Sequence, residues 1–154
     1  MSNFIGDHNC KIDSKGRLLM PSSFKKQMEP GEGDRFVIKK DIYEKCLELY
    51  PMDEWIRKSK YVKEQTNPFD EEDNIFLREY FKGTAEVSLD ANNRILLPRR
   101  LLDLIEADKE LVLAGQFDKI EIWSKENYDN IGSDSAGYKE RAKKIMGGKK
   151  KESE

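Results

Sequence analysis

The chain has 154 residues, of which 28 are Lys or Arg and 30 are Asp or Glu, so its net charge at pH 7 is −2. Its apolar runs fall short of the roughly 20 residues that cross a bilayer, and its N-terminus lacks the basic start and apolar core of a secretion signal. We therefore expect a cytoplasmic protein without a membrane partner, built as one domain or two very small ones.

One nine-residue stretch occurs twice. Residues 13–21 and 90–98 share an aspartate, an arginine four positions later, three apolar residues and a proline, at a constant offset of 77. The correspondence continues outward at the same offset, for example from Phe4 to Phe81. Such a repeat indicates two copies of one structural unit. Because each copy is too small to bury a large core alone, we expect the copies to interlock or to oligomerise.

The first copy opens with a strand over residues 4–12 and then reaches a turn. Gly16 can adopt a positive φ, and Asp13 can accept backbone N–H groups around the bend. The pattern predicts a β-hairpin whose second strand is residues 18–20. Pro21 predicts the start of a short helix, because the first helical position does not use the donor that proline lacks.

Two further strands complete each copy: residues 36–38 and 46–50 in the first, and residues 111–113 and 120–123 in the second. A helix is predicted after the last strand of each copy, and in the first copy it extends to about Lys63.

The pattern divides the chain into four parts. They are a first repeat over residues 4–63, an acidic helical connector over 64–80, a second repeat over 81–131 and a charged tail over 132–154, which we expect to be partly disordered. Carboxylates in the first turn of the connector's helix would complement the helix dipole.

Basic side chains concentrate in one segment of the first copy. Residues 11–26 contain five Lys or Arg and a single acid, Asp13, and a local patch of this kind can bind phosphate whatever the net charge. Arginine's planar fork suits two-point contact with phosphate or guanine. Arg17, flanked by Lys15 and Gly16, is therefore the first candidate for nucleic-acid contact.

The second turn keeps its arginine, Arg94, but has Asn93 in place of glycine and Asn92 in place of lysine. Asparagine tolerates the left-handed conformation, so the turn can still form, although it has lost a charge. The remaining shared residues are interpreted as structural turn residues, namely Asp13, Asp90, Pro21 and Pro98.

Neither a metal site nor an active site is expected. His8 and Cys10 supply two ligands where a structural zinc needs four, and both cysteines are interpreted as small buried hydrophobes. The sequence offers no nucleophile–base pair and no phosphate-binding glycine loop. An enzyme, a cofactor and a small-molecule substrate are therefore not expected.

The paired D-x-x-x-R elements, each followed by three apolar residues and proline, resemble the MraZ family of bacterial transcription regulators. Residues 45–51 and 120–124 resemble it too, and the resemblance covers about residues 3 to 131. It implies an α+β fold with a mainly β core. Two AbrB-like repeats would intertwine into one small double-psi-type β-barrel with short packed helices.

The resemblance also implies a function. The protein would be a sequence-specific, nucleoid-associated regulator of the division and cell-wall gene cluster, including its own promoter. It would bind short direct repeats in double-stranded DNA as a ring-shaped homo-oligomer. The family's arginine is the expected DNA contact. The candidate DNA-binding residues are Lys11, Lys15, Gly16, Arg17, Asn93 and Arg94.

An oligomeric scaffold or antitoxin-like module that binds a protein partner is the alternative function. The acidic residues 70–73 and the acidic second half of the chain favour it.

Overall fold

The computed structural model describes residues 2–28 and 33–147, and in that part the chain forms eight strands and six α-helices. The strands are β1 (Asp7–Lys11), β2 (Arg17–Leu19), β3 (Arg35–Lys40), β4 (Leu47–Pro51), β5 (Ala85–Ser88), β6 (Arg94–Leu96), β7 (Glu110–Gln116) and β8 (Lys119–Ser124). The helices are α1 (Ser22–Lys26), α2 (Met52–Glu64), α3 (Glu71–Phe81), α4 (Arg99–Leu104), α5 (Lys125–Asp129) and α6 (Ser135–Ala142). The α+β class with a mainly β core is confirmed, as are the strands predicted for the second half of each copy.

Six strands form one antiparallel sheet in the order β1-β7-β8-β4-β3-β5. The first strand of each copy pairs with the third strand of the other copy, β1 with β7 and β5 with β3. The last strands of the two copies, β4 and β8, pair at the centre of the sheet. The two copies therefore interlock, as the repeat predicted, and each contributes strands to both sheets of the described structure.

The remaining strands, β2 and β6, form a separate two-stranded antiparallel ribbon in which Leu18 lies opposite Ile95. The predicted β-hairpin is therefore wrong. β1 and β2 share only the isolated bridge between Ile12 and Leu18, because β1 is paired along its length with β7 and β2 with β6. Pairing β2 with β6 puts the two fully buried side chains, Leu18 and Ile95, side by side in the core.

The strands do not form the single closed barrel that the resemblance implies. The six-stranded sheet ends at β1 and β5, and the ribbon meets these edge strands through isolated bridges, Ile12–Leu18 and Leu89–Ile95, rather than through ladders. The reason is local: after each D-x-x-x-R turn a single bridge forms, and the following strand then pairs in the separate ribbon instead of in the large sheet.

A short helix follows the ribbon strand in each copy. Pro21 and Pro98 stand at the N-caps of α1 and α4, where their missing N–H groups remove no helical hydrogen bond. Phe24 on α1 and its repeat equivalent Leu101 on α4 are both buried in the shared core.

The described part of the chain ends in a helical segment. Residues 135–147 form α6 and a π-helical turn over Lys143–Gly147, and Asp134 caps α6 by accepting the N–H of Gly137 at 3.0 Å. The rest of the predicted tail, residues 148–154, lies outside the described residues. Among the helices of residues 2–28 and 33–147, none combines the length and apolar character that crossing a membrane requires.

Candidate nucleic-acid interface

The first D-x-x-x-R turn is organised by one carboxylate. Oδ1 of Asp13 accepts the backbone N–H groups of Lys15 and Arg17, each at 2.9 Å, and the Asp13 carbonyl accepts the N–H of Gly16 at 3.0 Å. Gly16 has φ +84°, and a Cβ at this position would lie 3.2 Å from the Leu97 carbonyl oxygen. Both the backbone conformation and the close approach of the ribbon therefore favour glycine here.

The same carboxylate holds the arginine side chain. Nε of Arg17 lies 2.8 Å from Oδ2 of Asp13. The Arg17 backbone N–H and then its guanidinium, together with the Lys15 N–H, lower the pKa of Asp13 to about 2 against the opposing effect of desolvation. Within residues 2–28 and 33–147, no hydrogen bond or ion pair engages the two Nη groups of Arg17, so they remain as donors on the free edge of a guanidinium that is fixed at Nε.

The second turn repeats the backbone geometry with different side chains. Oδ1 of Asp90 accepts the N–H groups of Asn92 at 2.8 Å and of Arg94 at 3.0 Å, and these bonds help to lower the pKa of Asp90, that of Arg94 contributing most. Asn93 has φ +60°, so it adopts the left-handed conformation that glycine adopts in the first turn. In the described part of the chain, Asp90 forms no ion pair with the Arg94 guanidinium.

The ribbon presents an alternating face to solvent. Arg17 lies opposite Leu96, and Leu19 lies opposite Arg94. Side chains alternate between the two faces of a strand, so these four point outward while the central pair of the ribbon is buried. Leu19 and Leu96 are 59% and 57% exposed. Two arginines and two solvent-exposed leucines therefore share one face of a two-stranded ribbon.

A groove lies beside the second turn. It has a volume of about 730 Å³ and is lined by residues of β1, β2, α1 and the second turn, including Lys11, Lys25, Lys26 and Asn93. Nζ of Lys25 donates to Oδ1 of Asn93 at 2.9 Å and lies 3.2 Å from Oδ1 of Asp34. The groove therefore brings basic side chains of the first copy to the turn of the second.

The structure places the six candidate residues at two sites. Lys15, Gly16, Arg17 and Arg94 belong to the ribbon and its turns, while Lys11 and Asn93 line the groove. The two outward leucines were not predicted, although the period-two alternation around buried Leu18 indicates them. Lys25 belongs to the basic segment of the first copy, but nothing in the sequence indicates that it contacts a residue 68 positions away.

One further cluster was not predicted. Possible ligand atoms of Asp41, Cys46 and Glu121 lie within 4.8 Å of one another in the described part of the chain. However, Asp41 already accepts the N–H groups of residues 43 and 44, and Glu121 accepts the indole N–H of Trp123. Burial, followed by the nearby carboxylates, raises the pKa of the Cys46 thiol far above its usual value. Both carboxylates are therefore occupied by hydrogen bonds within the protein, and we interpret the cluster as structural.

Comparison with known proteins agrees with the paired turns. The family model described as "MraZ protein, putative antitoxin-like" matches residues 3–78 and again residues 80–145. The chain is 40% identical to the "Transcriptional regulator MraZ" of Christiangramia forsetii over 96% of this chain and 95% of the relative. It is 36% identical to the protein of that name from Flavobacterium psychrophilum (96% and 94%) and 37% identical to that from Desulforamulus reducens (93% and 97%). These relatives are named as transcriptional regulators and not as enzymes. The two matches to the family model, one for each copy of the repeat, show that this chain belongs to the MraZ family.

Proposed function

We propose that the chain is a sequence-specific DNA-binding transcriptional regulator and that the β2–β6 ribbon is its reading element. The supporting observation is the outward face of Arg17, Leu19, Arg94 and Leu96. The major groove of B-DNA admits a two-stranded ribbon. There an arginine can contact guanine through two hydrogen bonds, and an apolar side chain can contact the methyl group of thymine.

The two turns would contribute phosphate contacts beside the base-reading face. Lys15 and the close backbone approach at Gly16 belong to the first turn, and Asn93 belongs to the second. Lys11 would add a contact from the end of β1. Asp13 and Asp90 would act indirectly, because they hold the backbone of the turns. Phosphate contacts position a protein on the duplex, whereas base contacts specify the sequence.

Oligomerisation would allow a chain with a negative net charge to bind DNA tightly. One ribbon with two arginines would bind DNA weakly, but linked ribbons that each meet one short direct repeat gain from effective concentration. We therefore propose a ring-shaped homo-oligomer, associated with the nucleoid, that binds direct repeats upstream of the division and cell-wall gene cluster, including its own promoter. This part of the proposal is supported by the family resemblance.

A gel-shift assay on the DNA upstream of the protein's own gene tests the function. Wild-type protein should shift this fragment, and should not shift a matched fragment in which the direct repeats are scrambled. Arg17→Ala should not shift the intact fragment, whereas Lys58→Ala, which removes one positive charge from α2, should bind as wild type. Equal binding of wild type to the intact and the scrambled fragments would contradict sequence-specific recognition.

A protein-binding, antitoxin-like role is the second candidate, and one surface favours it. The first turn of α3 carries Glu71, Glu72 and Asp73, and Ile75 and Phe76 on the same helix are partly exposed. An acidic surface with apolar side chains is unsuited to DNA but suits a basic protein partner. Failure to bind the upstream DNA by a protein that still assembles would favour this role.

A further inference from the structure

We propose that the groove beside the second turn binds a phosphate group and that Lys25 supplies the charge which the second turn lacks in its own sequence. Lys25 would also act as a positioning residue for Asn93. This inference deepens the proposed DNA-binding function and rests on it for the identity of the main ligand, a backbone phosphate of the bound duplex.

The lining of the groove favours an anion. Its eleven lining residues include three lysines, Lys11, Lys25 and Lys26, and none of the eleven is an aspartate or a glutamate. Oδ1 of Asp34 lies 3.2 Å from Nζ of Lys25, but Asp34 does not line the groove. A lysine ammonium has three donors, and Asn93 and Asp34 take two of those of Lys25. One donor is therefore left for a ligand.

Lys25 fixes the side chain of the second turn. The hydrogen bond from its Nζ to Oδ1 of Asn93 joins α1 of the first copy to the second turn, and Met20 N–H adds a bond to the Asn93 carbonyl at 2.9 Å. Because Oδ1 of Asn93 is held by Lys25, its Nδ2 group becomes a second oriented donor beside the ammonium. No residue in the described ranges accepts a hydrogen bond from that Nδ2.

The repeat shows why this contact belongs to one turn only. At the offset of 77, the equivalent of Lys25 in the second copy is Leu102, which is buried in the core and cannot serve the first turn. The first turn instead carries Lys15 within its own sequence. Each turn therefore has an associated lysine, supplied by its own sequence in the first case and by the other copy in the second.

Fluorescence anisotropy across a salt series, with a labelled fragment carrying the upstream repeats, tests the inference. Lys25→Met should weaken binding about tenfold, as expected for loss of a hydrogen bond to a charged group, and should reduce the slope of log affinity against log salt by about one. Lys58→Met is the matched control and should change neither quantity.

A double-mutant cycle separates positioning from charge alone. Asn93→Gly keeps the turn, because glycine accepts the positive φ, but removes the carboxamide. If Lys25 positions Asn93, the effect of Lys25→Met should be smaller in the Asn93→Gly background than in the wild type. Fully additive effects would overturn the positioning role and leave only the charge.

The outcomes separate this inference from the proposed function. If wild type binds and Arg17→Ala does not, but Lys25→Met binds with wild-type affinity and salt slope, the groove inference is wrong while the proposed function stands. If wild type fails to bind its upstream DNA, titration with inorganic phosphate decides the matter. An NMR shift of the Asn93 side-chain amide in wild type but not in Lys25→Met would support a site for free phosphate, and no shift would overturn the groove inference.

Discussion

Nε of Arg17 is held 2.8 Å from Oδ2 of Asp13, in a turn whose backbone the same carboxylate organises. The guanidinium is therefore oriented before any partner binds. Holding a side chain in its bound conformation beforehand lowers the conformational entropy cost of binding. Among the residues described, Arg94 has no such partner, although its turn has the same backbone hydrogen bonds. The two copies therefore share a backbone design but differ in the preorganisation of their arginines.

Arg17→Ala should abolish binding to a promoter fragment carrying direct repeats, because it removes the oriented guanidinium from the outward face of the ribbon. The fold and the assembly should remain, since Arg17 is half-exposed and lies outside the core. A gel-shift assay at moderate salt, with circular dichroism and size-exclusion chromatography on the same samples, measures both. A mutant that binds as tightly as wild type would contradict this prediction.

Arg94→Ala should weaken binding less than Arg17→Ala does. The Arg94 guanidinium is not held by Asp90 in the described structure, so part of any contact energy it contributes is offset by the cost of ordering its side chain. Affinities of the two variants, measured on one fragment under one buffer condition, provide the comparison. A larger loss at Arg94 than at Arg17 would reverse the ranking and make the second turn the principal contact.

The sequence predicts the turns well because their chemistry is local. An aspartate, a residue that accepts positive φ and an arginine four positions later determine the bend wherever they occur. The offset of 77 therefore locates both turns and the strands beside them, β1, β2, β5 and β6. The sequence could not predict the partner of each strand. β1 has the same alternation of side chains between its two faces whether it pairs with β7 or with β2. The β-hairpin was wrong for this reason.

Contacts between the two copies could not be predicted from the sequence either. The proximity of Lys25 and Asn93 depends on the antiparallel pairing of β2 with β6, which no local pattern encodes. The positive charge that the second turn lacks in its own sequence is supplied in three dimensions by Lys25, on a helix of the first copy.

Asp13→Asn should reduce the loss of unfolding free energy that the wild type shows as pH falls through the acidic range. The pKa of Asp13 is lowered from an ordinary value of 3.8 to about 2 in the folded chain, so between these pH values the unfolded chain binds more protons at this position. The free energy of unfolding therefore falls as pH decreases through that interval, and is insensitive to this group at neutral pH.

Urea denaturation of wild type and Asp13→Asn at several acidic pH values measures the difference, and an NMR titration of the Asp13 carboxyl checks the pKa directly. Glu72→Gln, in the first turn of α3, controls for the loss of one negative charge. If the wild type and Asp13→Asn lose stability in parallel between about pH 4 and pH 2, the carboxylate does not hold the turn as described.

A protein truncated after Met146 should assemble as the full chain does. Of the described residues this truncation removes only Gly147, which is exposed, so no described core residue is lost. Size-exclusion chromatography with light scattering compares the two proteins. Elution of the truncated form as a monomer would show that the C-terminal end takes part in assembly.

Glu48→Ala should be the most destabilising of these substitutions. Glu48 and Lys39 are 6% and 2% exposed, and Nζ of Lys39 lies 3.6 Å from Oε1 of Glu48. Glu48 also accepts the Tyr50 hydroxyl at 3.2 Å and pairs with Lys119. Removing the carboxylate would leave the Lys39 ammonium buried without this counter-ion, in surroundings whose desolvation already lowers its pKa.

Breaking a buried ion pair from one side costs about 3–5 kcal/mol, so Glu48→Ala should lower the free energy of unfolding by about that amount in urea denaturation. Glu86→Ala is the matched control, because the pair between Glu86 and Arg35 is half-exposed and an exposed pair contributes about 1 kcal/mol or less. Similar losses in the two variants would mean that water reaches the Lys39 ammonium when Glu48 is removed. In that case the central strands β3, β4 and β8 are held together by their backbone ladder and apolar face, and the buried charges contribute little.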